Sequence, residues 1–142
     1  MRAREYLNWR YCDIRGGDYR VLKAVESANM VGFIVFRVNN KRPEHPVGVI
    51  VDLMSYKNRS DITPALLKQC LEYFTTLNVV TVSSYLIRDH PDSKVFTRFG
   101  FIRQPFKTWV FLGPEDIGND RDIFLKEPSS RLHFHLGDTD LI

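Results

Sequence analysis

The chain has 142 residues, 44% hydrophobic, 13% aromatic and 26% charged, which suits one domain and excludes a disordered, collagen-like, coiled-coil or disulfide-dense chain. Its net charge of +3 is uneven: residues 1–42 carry nine basic and four acidic groups, residues 115–142 three basic and seven acidic. That asymmetry can steer an anionic ligand toward the first half, but it is not the concentrated basic face of a nucleic-acid binder.

Ala3–Cys12 has no Gly or Pro and predicts a short helix rich in aromatics, Tyr6, Trp9 and Tyr11. Asp13–Asp18, with Gly16-Gly17, reads as a turn. Asp18–Glu26 and Met30–Asn39 are strand-like runs whose short connection, Ser27–Asn29, predicts an antiparallel hairpin. The polar stretch Asn39–Pro46 leads into Val47–Leu53, VGVIVDL, a continuous apolar strand whose lack of alternation predicts burial on both faces. From Thr63, Leu66, Leu67, Cys70, Leu71, Phe74 and Leu77 recur at helical spacing, with Thr63 suited to the N-cap and Pro64 to the first helical position. Val79–Leu86, VVTVSSYL, is strand-like again, so strand, helix and strand predict a parallel crossover. Pro91–Phe99 predicts a short helix closed by Gly100 in a left-handed cap. Phe106–Leu112 and Leu132–Leu136 are the last strand-like runs, separated by the polar Gly113–Ser130. The order defines an α/β chain with a mixed sheet and helices packed on it, one domain over residues 1–142.

The longest apolar run, Val31–Phe36, falls far short of the ~18–20 residues of a membrane-spanning helix, and Met1–Arg10 does not resemble a secretory signal. Cys12 and Cys70 lack CxxC spacing, which gives zinc or thioredoxin-like chemistry no support and fits reduced thiols in a cytoplasmic protein.

This order, with VGVIVDL, the Thr63–Leu77 helix, VVTVSSYL and SKVFTRFGF (Ser93–Phe101), resembles the GNAT family of acyl-CoA N-acyltransferases over residues 18–112. Gly100-Phe101 closing a short helix is typical of that family. The opening YLNWRYCDIRGGDY (Tyr6–Tyr19) is similar to a segment of GNAT-like proteins associated with bacterial polysaccharide biosynthesis and related to FemAB transferases. The resemblance implies a mostly antiparallel sheet with a central parallel pair and flanking helices. It implies transfer of an acyl group from acetyl-CoA or another acyl-CoA to an amine, from a small molecule or an amino sugar. The family's first strand and first helix have no counterpart here, so the resemblance reads the chain as a fragment or one lobe, with a second lobe or a homodimer as expected partner.

Carried onto these residues, the resemblance implies that two parallel strands splay between Leu53, Met54 and Ser55 on one side and Ser84–Leu86 on the other. Pantetheine would pair with the backbone there. The pyrophosphate loop would be Asn58, Arg59, Ser60, Asp61, Ile62 and Thr63, with free N–H groups at the helix start and charge and hydroxyl from Arg59 and Ser60. Asp52, near the end of VGVIVDL, is either the candidate base for an acceptor amine or an acid that pairs with a basic neighbour such as Lys57 or Arg59, and Tyr85 either a candidate proton donor or substrate contact or a core tyrosine with its hydroxyl at the rim. Two departures stand out. The loop lacks the family's glycines, and Phe96 stands where a tyrosine donor is frequent, four residues before Gly100. A rival expectation is therefore a non-catalytic GNAT-like lobe that docks on another domain or subunit.

Other clusters have ordinary explanations beside functional ones. His133 and His135 would share one strand face, with Asp138 and Asp140 beyond, either as a metal site or as a solvent face. No metal is expected. Trp9, Arg10 and Tyr11 form either a sugar- or partner-contacting surface or a helix covering the sheet, with Trp9 or Tyr6 buried. His90-Pro91 reads as a helix-initiating turn.

Overall fold

A computed structural model describes residues 4–13, 17–41, 43–86 and 90–104. They fall into two compact units, the first running to Tyr85 and the second starting at Leu86.

In the first unit, Arg4–Leu7 forms one α-helical turn (α1) and continues as a π-helical turn over Asn8–Cys12. The expected single α-helix over Ala3–Cys12 is thus replaced by a widened turn that carries the buried Tyr11. Strands β1 (Arg20–Glu26), β2 (Asn29–Asn39), β3 (Val47–Ser55) and β4 (Thr81–Ser84) form one sheet in the order β1-β2-β3-β4. The first two pairings are antiparallel and β3–β4 is parallel, with helix α2 (Ile62–Thr76) between β3 and β4 in sequence. The mixed sheet is the one expected. The β1–β2 hairpin turns on Ser27 and Ala28, both at positive φ (47° and 67°), the conformation that matches the twist of paired strands.

β3 is buried continuously from Gly48 to Leu53, as its unbroken apolar run predicts for a strand covered on both faces. On one face, Phe36 meets the Phe74 ring of α2 edge-on at 5.1 Å. There is no room there for side chains at Gly32 and Gly48: a Cβ on Gly32 would lie 2.6 Å from Ile62 Cγ2, and one on Gly48 2.8 Å from the Phe74 ring. On the other face Tyr11 packs with Phe33, Val35, Val49 and Val51.

Several boundaries differ from expectation for identifiable reasons. α2 starts at Ile62 with Asp61 at the N-cap position, so Thr63 lies inside the first turn rather than capping it. At the other end, Asn78 at φ 54° closes α2 with Asn78 N–H donating to Thr75 O and Val79 N–H to Phe74 O. Val80 N–H donates to Pro46 O. With those donors committed, the expected strand Val79–Leu86 pairs only over Thr81–Ser84.

In the second unit, helix α3 (Ser93–Arg98) ends in the left-handed cap expected at Gly100, φ 87°. Gly100 N–H donates to Thr97 O and Phe101 N–H to Phe96 O, and the Phe96 and Phe101 rings meet at 5.0 Å. This is the Schellman arrangement with its apolar contact, and it explains why Gly is followed by Phe. His90 Nδ1 accepts from Asp92 N–H at 3.2 Å and His90 O from Ser93 N–H, so His90-Pro91 does begin this helix. The expected strands Phe106–Leu112 and Leu132–Leu136, the connection Gly113–Ser130 and the His133, His135, Asp138 and Asp140 cluster lie outside the described residues.

Candidate functional site

The candidate site lies where β3 outruns its neighbour. The parallel ladder runs from Val47↔Thr81 to Ile50↔Ser84 and ends there, while β3 continues to Ser55. Leu53, Met54 and Ser55 therefore have no strand neighbour on that side among the described residues, and their backbone edge is suited to an extended polar ligand.

A bulge lies just past the end of that ladder. Val35 pairs with Asp52 but Phe36 pairs with Ile50, which leaves Val51 as an extra residue. Strict alternation would put Asp52 on the α2 face with Gly48 and Ile50. The bulge instead turns it to the opposite face, where Tyr11 Oη donates to Asp52 Oδ2 at 3.1 Å. Asp52 is 0% exposed and Tyr11 3% exposed, so the two are enclosed together and Oδ2 faces the tyrosine hydroxyl rather than solvent.

Tyr11 is the residue the sequence reading missed at this site. It stood in the Trp9–Arg10–Tyr11 cluster, but its partner is 41 residues away and nothing local marks the pair. The expected burial of Trp9 or Tyr6 is met only in part: Trp9 is 64% exposed, its ring lies 6.1 Å from that of the half-buried Tyr6, and it is Tyr11 that goes inside.

The loop before α2 is charged but internally satisfied. Arg59 donates through Nε and Nη2 to the two carboxylate oxygens of Asp61, both at 2.9 Å, and through Nη1 to Glu26 Oε2 at 2.6 Å. These bonds, first to Asp61 and then to Glu26, raise the guanidinium's pKa further, and the bond from Arg59 holds Asp61 below the usual carboxylate range. One cation between two carboxylates leaves the trio with a formal charge of −1. Asp61 makes no side-chain cap to α2, because its carboxylate is turned to Arg59. Asn58 and Ser60 are exposed, whereas Ile62 and Thr63 are buried. Thr63 Oγ1 and Ser55 Oγ share a hydrogen bond of 3.0 Å that ties the end of β3 to the first turn of α2.

Tyr85, just past β4, is exposed. Phe96 is buried and has no hydroxyl to offer. Cys70 is buried on the inner face of α2, and that burial pushes its thiol pKa up to about 12, so it stays protonated. Among the described residues no cluster of His, Cys, Asp or Glu could hold a metal ion, and no helix is long and apolar enough to cross a membrane.

No family model matches this chain, and neither does any curated protein sequence. Solved structures do. An aminoglycoside acetyltransferase from an uncultured soil metagenomic sample is 18% identical with a TM-score of 0.60, over 80% of this chain and 76% of that one. A putative acetyltransferase from Agrobacterium tumefaciens is 14% identical with a TM-score of 0.62, over 79% and 81%. The ribosomal-protein-alanine N-acetyltransferase of Brucella melitensis biovar Abortus is 15% identical with a TM-score of 0.59, over 79% and 82%. The mixed α/β fold is thus the GNAT-like fold of acetyltransferases. At these identities the likeness speaks for the fold alone.

Proposed function

We propose that this chain is an N-acyltransferase that moves an acyl group from acetyl-CoA or another acyl-CoA to the amine of a small molecule, with an amino sugar of a cell-surface polysaccharide as the acceptor class suggested by Tyr6–Tyr19. The observation that carries the reading is the open edge of β3 at Leu53–Ser55, next to the bulge that presents Asp52. Backbone N–H and C=O groups along that edge suit the amides of pantetheine. At the start of α2 Pro64 has no N–H and Ile62 N–H donates to Arg59 O, so a diphosphate would rest on the Thr63 N–H and on Arg59, once Arg59 exchanges its carboxylate partners for phosphate.

In the transfer, the amine nitrogen bonds to the thioester carbon and the C–S bond breaks with its electron pair on sulfur. The proton lost by nitrogen ends on that sulfur. Asp52 takes up the proton in transit through Tyr11, whose hydroxyl accepts one proton while passing its own to Oδ2. Tyr85, exposed beside the end of β4, is a contact for the acceptor.

A second reading is supported by the closed Arg59–Asp61–Glu26 trio and by Phe96: a GNAT-like lobe that binds a second lobe or a copy of itself and catalyses nothing. Release of free thiol from acetyl-CoA in the presence of a panel of amino sugars separates the two. The acyltransferase reading expects acceptor-dependent release that falls tenfold or more in Asp52→Asn, the usual size of a general-base contribution being about 100-fold or more. Absence of release with every amine favours the docking lobe.

A further inference from the structure

We infer that Ser84 receives the acyl donor, its hydroxyl donating a hydrogen bond to the thioester carbonyl oxygen. This rests on the acyltransferase reading above and deepens it.

Ser84 is the last residue of β4 in the ladder, opposite Ile50, and the next residue of β3 is the bulged Val51. It therefore stands at the fork where β3 leaves its partner. Its Oγ is buried and has no hydrogen-bond partner among the described residues. A hydroxyl held away from water without a partner destabilises the folded chain, so an orphan of this kind at the fork calls for a ligand that satisfies it. Along the open edge the hydroxyls of Ser55 and Thr63 bond to each other, and Tyr85, next to Ser84 in the chain, is exposed. A ligand running along Leu53–Ser55 toward the fork meets Ser84 at its reacting end. A neutral O–H there suits a carbonyl oxygen that gains negative charge as the amine adds, and it keeps its own proton throughout.

The test needs no acceptor. Acetyl-CoA labelled with carbon-13 at the thioester carbonyl is bound to the full chain, and the carbonyl band is read by isotope-edited infrared spectroscopy. In the wild type the band moves to lower wavenumber than in free acetyl-CoA. In Ser84→Ala it returns toward the free position, and in Ser84→Thr, which keeps the hydroxyl, it stays low. Loss of one neutral hydrogen bond weakens acetyl-CoA binding by about threefold to tenfold. The Ser84→Ala melting temperature holds or rises, because an unpartnered hydroxyl contributes no stability, whereas a fall would mark a structural role and overturn the assignment. A carbonyl band unmoved by Ser84→Ala overturns it while leaving the acyltransferase reading intact. Failure of the wild type to bind acetyl-CoA at millimolar concentration removes both.

Discussion

Tyr11 and Asp52 show how one buried polar pair ties the N-terminal turn to the centre of the sheet. Tyr11→Phe keeps the ring among Phe33, Val35, Val49 and Val51 but removes the donor to a buried carboxylate. Such a loss costs about 1–3 kcal/mol, so urea unfolding should show a lowered midpoint with an unchanged slope. A midpoint equal to that of the wild type would mean the hydrogen bond contributes nothing. The Arg59 trio gives a second prediction at this scale. Asp61 titrates below its unfolded value, so its tie to Arg59 acts above that value and is lost as pH falls through the folded one. Above that range, a net charge of −1 beside the α2 N-terminus opposes a polyanion. Asp61→Asn should therefore tighten acetyl-CoA binding, by about threefold at low salt and less at high salt. Weaker binding in the variant would show that Asp61 helps the site rather than guarding it.

At the scale of elements, the hydrophobic pattern revealed much and the irregularities little. The unbroken VGVIVDL and the Leu66, Leu67, Cys70 and Phe74 stripe identify β3 and α2 because burial on two faces, or on one helical face, dictates those patterns. The bulge at Val51 leaves no such mark, since one extra residue in an already apolar run looks like more of the same strand. It nevertheless decides which face Asp52 occupies. The start of α2 was legible to within two residues, but Thr63 suited an N-cap so well by type that its actual bond, to Ser55, could not be read. Gly32 was equally silent: its role is to let Ile62 and the first turn of α2 approach β2. Gly32→Ala would force a Cβ to within 2.6 Å of Ile62 Cγ2 and 2.9 Å of the Met54 carbonyl oxygen. An overpacked contact of this kind costs about 1–3 kcal/mol and should push α2 off the open end of β3. Thermal unfolding and acetyl-CoA affinity should fall together. An unchanged melting temperature would show that the helix start yields freely.

For the whole molecule, the GNAT-like fold follows from the sheet order and the parallel β3–β4 pair, and solved acetyltransferases share it. The proposed chemistry hangs on one feature of that fold, a central strand that extends past its parallel neighbour beside a helix N-terminus. A glycine-free loop whose only arginine is held by two carboxylates is the feature that most opposes a CoA ligand. The two are weighed most directly by titrating the purified chain with acetyl-CoA, by calorimetry and by thermal shift. A ligand that binds only the native state raises its stability by RT ln(1 + [L]/Kd), so the two readouts must agree. An acyltransferase gives saturable binding that is lost or weakened in Arg59→Ala. No heat and no shift at millimolar acetyl-CoA would contradict acyl transfer and leave a GNAT-like docking lobe.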